Sequence, residues 1–204
     1  MTRPPNPELR ERLLAEAEKV VAEGGVAALN MRRLAKRVGV TATAIYGYFD
    51  SKGELLFQLK LRGARKLNAR IGAIPPALGP HETLHELGRR YLEFAEDHPQ
   101  LYKLLFEELE GGLPGEDELP VMYHTYYTAS NALERMAAAG EMPFEPSYGA
   151  LMGWVMLHGF CSLLISGRLE LAEELDRDQL RRIFLEFYTG GGGRLDREGC
   201  DGPS

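Results

Sequence analysis

Several kinds of chemistry are missing from this sequence. Its only two cysteines, Cys161 and Cys200, lie far apart, which favours neither a disulfide framework nor a zinc-ligand spacing and suits a reducing compartment. It contains no glycine-rich phosphate loop, nucleophile elbow or paired-carboxylate pattern. No run of alternating apolar and polar residues predicts a strand. We therefore expect an all-α protein that is not an enzyme and needs no cofactor.

Two further features concern location and metal binding. No apolar segment follows Met1, so the sequence predicts no signal peptide and a cytoplasmic protein. His81 and His85 have the i, i+4 spacing of a metal-ligand pair on a helix, but the sequence indicates no third ligand. We interpret both histidines as exposed residues near a helix start and predict no metal site.

Length and composition indicate one small and one larger domain. The 204 residues are 44% hydrophobic, enough to bury a substantial core. We predict a first domain over residues 7–67 and a second over residues 80–189. The glycine-rich tail, residues 190–204, has too little apolar content to pack and is predicted to be disordered.

Residues 30–49, NMRRLAKRVGVTATAIYGYF, predict two short helices joined by a glycine turn. Asn30 can cap the first helix, and Gly39 can end it in the left-handed conformation. Thr41 can cap the second helix, whose apolar residues recur at an i, i+4 interval. This order is that of the helix-turn-helix unit that reads DNA.

Capping residues, prolines and glycines divide the rest of the chain into helices. Asn6 and Ser51 each stand at a predicted helix start, the first before a proline and the second in a capping box. Further helices are predicted from residue 51 to the prolines at 75 and 76, and over residues 80–97, 99–110, 118–139, 146–167 and 176–188.

Charge is distributed unevenly along the chain. Residues 1–70 contain 14 Lys and Arg against 7 Asp and Glu, a net charge of +7, whereas the rest carries −13. Because charges are screened beyond about 8 Å at physiological salt, the local charge matters more than the whole-chain value. An ordinary solvated face is the alternative interpretation of these cations. Those that can flank phosphates are Arg32, Arg33, Lys36, Arg37 and Lys52.

The second short helix has few groups for reading bases. Residues 42–48 contain no Arg, Lys, Asn or Gln, the side chains that make bidentate contacts with base edges. We expect specificity from the methyl groups of Ala42 and Thr43 against thymine, and from Tyr46 at a base or phosphate. Arg3 in the minor groove and DNA shape would supply the rest.

The pattern A-x-x-V-G-V-T-x-x-A-I-Y-x-Y-F-x-S-K-x-E-L, from Ala35 to Leu55, resembles the tetracycline-repressor family. The resemblance implies a ligand-responsive repressor that binds palindromic operator DNA as a homodimer. It also implies that Tyr46, Tyr48 and Lys52 hold phosphates. The expected DNA contacts are Asn30, Arg32, Arg33, Thr41, Ala42, Thr43, Tyr46, Gly47, Tyr48 and Lys52.

The segment over residues 146–167 contains no Asp, Glu, Lys or Arg and is long enough to suggest a membrane span. His158, three serines and the lack of a flanking cation belt favour a soluble helix instead. Such a helix must be covered on every side, and a second copy can do this, with Gly149 and Gly153 allowing close approach. We expect the helix at 176–188 to complete a four-helix dimer interface.

Trp154, His158 and Gly159 form W-x-x-x-H-G, which resembles the C-terminal domain type named for its Trp-His-Gly signature, found on some regulators of this family. Aromatic and methionine side chains between residues 80 and 167 can line a cavity for a largely apolar effector, although such stripes more often belong to the core. The expected ligand contacts are Tyr102, Phe106, Tyr123, Tyr127, Trp154 and His158.

Two other classes of protein remain open from the sequence. A helical small-molecule-binding protein or enzyme, whose basic segment merely packs, would bind DNA weakly and without sequence preference, and salt would abolish that binding. An adaptor that uses the apolar helix at 146–167 against another protein would have a heteromeric partner instead of a second copy.

Overall fold

A computed structural model describes residues 6–107, 114–142, 145–171 and 176–189. Every regular element in these ranges is a helix, which confirms the predicted all-α class. A short 3-10 helix, Arg168–Leu171, lies between the last two α-helices. The α-helices are α1 (Pro7–Ala28), α2 (Met31–Val38), α3 (Ala42–Ile45), α4 (Lys52–Gly72), α5 (Pro80–Asp97), α6 (Pro99–Phe106), α7 (Leu119–Ala138), α8 (Pro146–Ile165) and α9 (Arg177–Tyr188).

The helix starts are capped by the residues that the sequence indicates. The Asn30 carboxamide oxygen accepts hydrogen bonds from the backbone amides of Arg32 and Arg33, at 3.0 and 3.2 Å. The Thr41 hydroxyl accepts from the amide of Ala44 at 3.2 Å. Side chains also cap α1, α4 and α9, at Asn6, Ser51 and Asp176 respectively. These caps confirm the predicted helix starts at Asn6, Asn30, Thr41, Ser51 and Asp176.

Some helix ends differ from the prediction. Helix α3 has only four residues, because the chain tightens after Ile45, whose carbonyl accepts from the amides of Tyr48 and Phe49 at 2.9 and 3.0 Å. Helix α6 ends at Phe106, since Glu107 is extended at φ −74° and ψ 135°. The predicted stop at residues 111 and 112 lies outside the described residues, as does the tail from residue 190.

The first of two compact units contains α1 to α4, the last residues of α5, α6 and the first residues of α7. Its core includes the fully buried side chains of Leu13, Ile45, Phe49 and Leu59. Helix α6 packs on both α1 and α4. The second contact is close, because a Cβ atom on Gly63 would lie 3.0 Å from the Leu101 side chain.

The second compact unit contains the first part of α5, the rest of α7, α8 and α9. The rings of Phe160 and Phe184 stack with their centroids 4.1 Å apart. The Tyr188 ring lies against Gly153, where a Cβ atom would be 3.2 Å from Cε2. The prediction that Gly153 is open to a second copy is therefore wrong, because an aromatic ring of the same chain occupies the space beside it.

Helix α8 has more apolar surface than the other described residues cover. The helix is long and apolar enough to span a membrane, by length and composition only. Of its most apolar 18-residue stretch, 22% is buried. Its inward residues are Ala150, Leu157, Cys161 and Leu164. Large apolar side chains remain exposed on the helix, at Tyr148, Leu151, Met152, Val155 and Leu163.

Candidate nucleic-acid interface

The candidate interface is the outer surface of α2, α3 and the residues up to the start of α4. Helix α2 buries Met31, Leu34, Ala35 and Val38, so its other face is left to solvent. Gly39 turns the chain at φ 80°, a left-handed conformation that glycine adopts without strain. Among the predicted DNA contacts, those exposed are Asn30, Arg32, Arg33, Thr41, Thr43, Tyr46 and Gly47, and those half-buried are Ala42, Tyr48 and Lys52.

The cations of α2 are of two kinds. The Arg37 guanidinium already forms ion pairs within the unit, at 2.9 Å to Glu16 and 3.5 Å to Glu23. Within the described residues, Arg32, Arg33 and Lys36 form no ion pair and are exposed. These three can therefore meet phosphates without first breaking an ion pair, whereas Arg37 cannot.

Two predicted phosphate contacts are tied to α1. The Tyr48 hydroxyl oxygen accepts a hydrogen bond from the backbone amide of Asn6 at 3.0 Å. The Lys52 ammonium donates to the carbonyl of Val26 at 3.3 Å. By contrast, Tyr46 is 51% exposed. These two hydrogen bonds could not be predicted from local sequence patterns, because the partners are separated by 42 and 26 residues.

Helix α1 is fastened to α4 by ion pairs that the sequence analysis did not predict. Arg62 donates to Glu18 at 2.7 Å and to Glu11, and Lys66 also pairs with Glu18. The hydrogen bond with Glu11, opposed by partial burial, raises the pKa of the Arg62 guanidinium. Glu11 and Glu18 are seven residues apart on one helix face, a spacing that gives a weak signal for such a network.

The predicted ligand contacts fall in both compact units. In the first unit, Tyr102 is buried in α6 and its ring centroid lies 5.1 Å from that of Phe106, while Tyr123 is 38% exposed on α7. In the second unit, Tyr127 is exposed and Trp154 is half-buried.

His158 and Trp154 stand on α8. Burial lowers the pKa of the half-buried His158 imidazole, and its Nε2 atom lies 3.5 Å from the Ser162 hydroxyl. The Trp154 ring lies 6.4 Å from that of Tyr126, centroid to centroid. The structure thus joins Trp154 to an aromatic residue of α7 that was not among the six predicted contacts.

Metal ligands do not cluster in the part of the chain that the structure describes. No three His, Cys, Asp or Glu side chains come together there. His81 and His85 are both exposed, and Nε2 of His81 lies 3.3 Å from the Glu141 carboxylate. Arg3 and Cys200 lie outside the described residues.

Comparison with protein families gives two matches that follow the two parts of the sequence. Residues 13–59 match the tetR family of bacterial regulatory proteins. Residues 84–187, about half of the chain, match the tetracyclin repressor-like C-terminal domain. These matches confirm the resemblance carried by the motif from Ala35 to Leu55. The Trp-His-Gly type of C-terminal domain is not confirmed.

The similarity of this chain to known proteins extends over different lengths. The transcriptional activator FasR of Mycolicibacterium smegmatis is 30% identical over 104 residues, which are 50% of this chain and 48% of FasR. The transcriptional repressor KstR of Rhodococcus jostii is 34% identical over 77 residues, 38% of this chain and 36% of KstR. The chain thus spans half or less of these two relatives. A solved protein of unknown function from Rhodococcus sp. RHA1 is 24% identical, with a TM-score of 0.77 over 94% of this chain and 98% of that one.

Proposed function

Because the chain belongs to the tetracycline-repressor family of bacterial regulatory proteins, we propose that it regulates transcription by binding operator DNA through α2 and α3. The observation that carries this proposal is the two-sided character of α2. One side is core, and the other presents Arg32, Arg33 and Lys36 without ion pairs among the described residues. The proposed DNA-binding domain is residues 7–67, and the proposed effector and dimerisation domain is residues 80–189.

The active form in this proposal is a homodimer joined through α8 and α9. Met152 and Val155 are each 54% exposed, Phe187 is 64% exposed and Tyr148 is 66% exposed, although all four side chains are large and apolar. A second copy covers such surface more economically than any other partner in a soluble protein. Two DNA-binding units about 34 Å apart then match successive turns of the major groove, which explains a palindromic site.

A small, largely apolar effector is proposed to release the DNA. Its proposed contacts in the first unit are Tyr102 and Phe106 on α6 and Tyr123 on α7, and Tyr127, Trp154 and His158 are proposed contacts within the second unit taken by itself. Since α6 packs on both α1 and α4, and α1 packs on α2, a ligand that displaces α6 would also shift the helices that support the DNA-binding surface. A coupling of this kind typically costs about 1 to 3 kcal/mol of operator affinity.

Repression is the proposed output, in the cytoplasm and without enzymatic activity. KstR is named a repressor, whereas FasR is named an activator, so relatives of this chain have both outputs. Repression fits the simple arrangement in which a bound dimer blocks a promoter and an effector removes it. A reporter gene behind the selected operator, with and without the chain, distinguishes the two outputs by the direction of the change.

The experiment that tests the DNA-binding function is a selection of the purified chain against a random duplex library at near-physiological salt, with unselected DNA as competitor. We expect enrichment of a palindrome whose half-sites lie about one helical turn apart. A folded protein that enriches no sequence would contradict the proposal and would favour a helical small-molecule-binding protein instead. The selected duplex then serves for the effector screen.

A further inference from the structure

We propose that α1 positions two phosphate-binding side chains through its own backbone. In this proposal the amide of Asn6 directs the hydroxyl proton of Tyr48 outward, and the carbonyl of Val26 holds the ammonium of Lys52 in place. The inference rests on the proposed DNA-binding function. It adds a role for α1, which is otherwise a core helix of the first unit.

Hydrogen-bond chemistry determines what Tyr48 can do. A phenol has one proton to donate and also accepts hydrogen bonds at its oxygen. The Asn6 amide, 3.0 Å from that oxygen, has a proton and no lone pair to offer, so the phenol must be the acceptor. The Tyr48 hydroxyl proton has no acceptor in the described part of the chain. It is therefore available to a phosphate oxygen, and accepting one hydrogen bond strengthens the donor for the next.

Lys52 stands where a cation does not stabilise its own helix. It is the first residue of α4, and the N-terminal end of a helix carries partial positive charge. Its ammonium is instead bound to the Val26 carbonyl at 3.3 Å, and this leaves two of its three protons for other acceptors. A phosphate is an anionic acceptor that suits both the helix end and the lysine.

The conformation of α1 presents the Val26 carbonyl. Gly25 adopts φ 70° and ψ −176°, a region that is essentially restricted to glycine, and it kinks α1 one residue before Val26. The carbonyl accepts from the Leu29 amide at 3.2 Å and from Lys52 at 3.3 Å, so both of its lone pairs are used. Asn6 precedes the first residue of α1. The two tethers, meaning the hydrogen bonds of Asn6 with Tyr48 and of Val26 with Lys52, therefore lie at opposite ends of this helix.

The two tethers can fix the positions of Tyr48 and Lys52 only if α1 itself is held against the DNA-binding helices. Arg12 of α1 donates to the carbonyl of Val38, the last residue of α2, at 3.1 Å. The ion pair of Glu18 with Arg62 joins α1 to α4 at 2.7 Å. Helix α1 is thus connected to α2 and to α4, and it can fix Tyr48 and Lys52 relative to both helices.

The first experiment isolates the Asn6 amide. Asn6 has φ −76°, which lies in the range of proline, so Asn6→Pro replaces the N–H with a ring carbon that displaces the Tyr48 hydroxyl, while Asn6→Ala keeps the N–H, and both remove the side-chain cap. With the duplex selected by the wild-type chain, we expect Tyr48→Phe to weaken binding about 10-fold, as for a hydrogen bond to a charged group. We expect Asn6→Pro to bind about 3-fold more weakly than Asn6→Ala, because the hydrogen bond that orients the Tyr48 hydroxyl is lost and the hydroxyl is displaced.

The control combines each of the two Asn6 variants with a substitution of Tyr48 or of Tyr46. In the Tyr48→Phe background, Asn6→Pro and Asn6→Ala should bind equally, whereas the difference between them should persist in Tyr46→Phe. Thermal unfolding verifies that each variant is folded at the temperature of the binding measurement. Equal binding by the two Asn6 variants with Tyr48 present would overturn the proposal while leaving DNA binding intact. A wild-type chain that selects no duplex would overturn the proposed function itself.

The second experiment addresses Lys52. We expect Lys52→Met to weaken binding to the selected duplex about 10-fold and to reduce the salt slope by about 1, the signature of one lost phosphate contact. Gly25→Ala should displace the Val26 carbonyl and weaken binding about 3-fold, but cause no further loss in Lys52→Met. Gly140→Ala, at a similar φ of 75° with nothing within 4 Å of the added Cβ atom, is the matched glycine control. If Gly25→Ala also reduced the affinity for the selected duplex when combined with Lys52→Met, the proposed role of the hydrogen bond between Val26 and Lys52 would be contradicted.

Discussion

The surface of α2 and α3 in the first unit and the surface of α8 and α9 in the second are both exposed, yet their chemistry is opposite. The first presents cations and hydroxyl groups above a continuous core. The second presents large apolar groups such as Met152 and Phe187. A charged surface remains stable in water until DNA replaces the solvent, whereas an apolar one is stabilised by burial. This difference in chemistry agrees with the two proposed partners, a nucleic acid for one surface and a second copy for the other.

The largest effect is expected from placing a charge on the apolar surface. Met152→Glu should convert the proposed dimer to a monomer, because a carboxylate would be buried without a partner at its interface. Affinity for the full palindrome should then fall on the order of 100-fold, as avidity is lost. Sedimentation equilibrium and a gel-shift titration measure the two effects. Ala138→Glu, at an exposed position of α7, is the control. A Met152→Glu variant that remained fully dimeric would show that this surface does not form the dimer interface.

The next largest effect concerns the packing of α6 in the first unit. Gly63→Ala should lower the free energy of unfolding by about 1 to 3 kcal/mol, because its Cβ atom would crowd Leu101. Gly72→Ala should leave stability unchanged or raise it by up to about 1 kcal/mol, since the position is open. Urea denaturation measures both. Equal stabilities for the two variants would show that the close approach of α6 and α4 is not needed.

A smaller effect distinguishes the cations on the surface of α2. Arg33→Ala should weaken binding to the selected duplex about 3-fold to 10-fold and lower the salt slope by about 1. Arg37→Ala should change binding less, because its guanidinium is engaged by Glu16 and Glu23. A salt titration of both variants provides the measurement. If Arg37→Ala had the larger effect, the ion pairs of Arg37 would have to break on binding DNA.

The smallest effect is a dependence of stability on pH in the second unit. Hydrogen bonding from Arg89, with a further hydrogen bond from Arg90, lowers the pKa of the Glu86 carboxyl from 4.5 to about 2. A lowered pKa stabilises the fold above pH 4.5, and that contribution is lost as the pH falls toward 2. For a partly exposed group it amounts to less than about 1 kcal/mol. Chemical denaturation between pH 6 and pH 2 should show a shallower decline for Glu86→Gln than for the wild-type chain.

Glu134→Gln, exposed on α7, is the control for this measurement, because it removes a carboxylate without touching the pair of arginines. Its stability should decline with falling pH as steeply as that of the wild-type chain. An equally steep decline for Glu86→Gln would mean that the arginines do not stabilise the charged carboxylate.

The sequence was sufficient where the interactions are local. Asn30, Thr41 and Ser51 bond to amides two or three residues away, so residue type and spacing predict the caps and the order of the helices. The contact of Tyr48 with Asn6 spans 42 residues, and only the folded chain brings these two residues together. The DNA-binding motif was therefore predictable, but the way in which its side chains are held was not.

The same limit explains the error at Gly153. A glycine on an apolar helix indicates close approach, but the periodicity does not say whether the approaching group comes from the same chain or another. Here Tyr188 of α9 fills the space. The exposed surface of α8 lies instead at larger residues, Tyr148, Met152 and Val155, which a sequence pattern does not distinguish from core.

In the proposed function, two copies joined through the surface of α8 and α9 bind DNA with the surface of α2 and α3. The most direct test measures the affinity of the wild-type chain for the selected palindrome and for a single half-site of the same length, together with the mass of each complex. We predict two protomers on the palindrome and a half-site affinity weaker on the order of 100-fold. One protomer per duplex with equal affinity for both DNAs would contradict binding as a dimer.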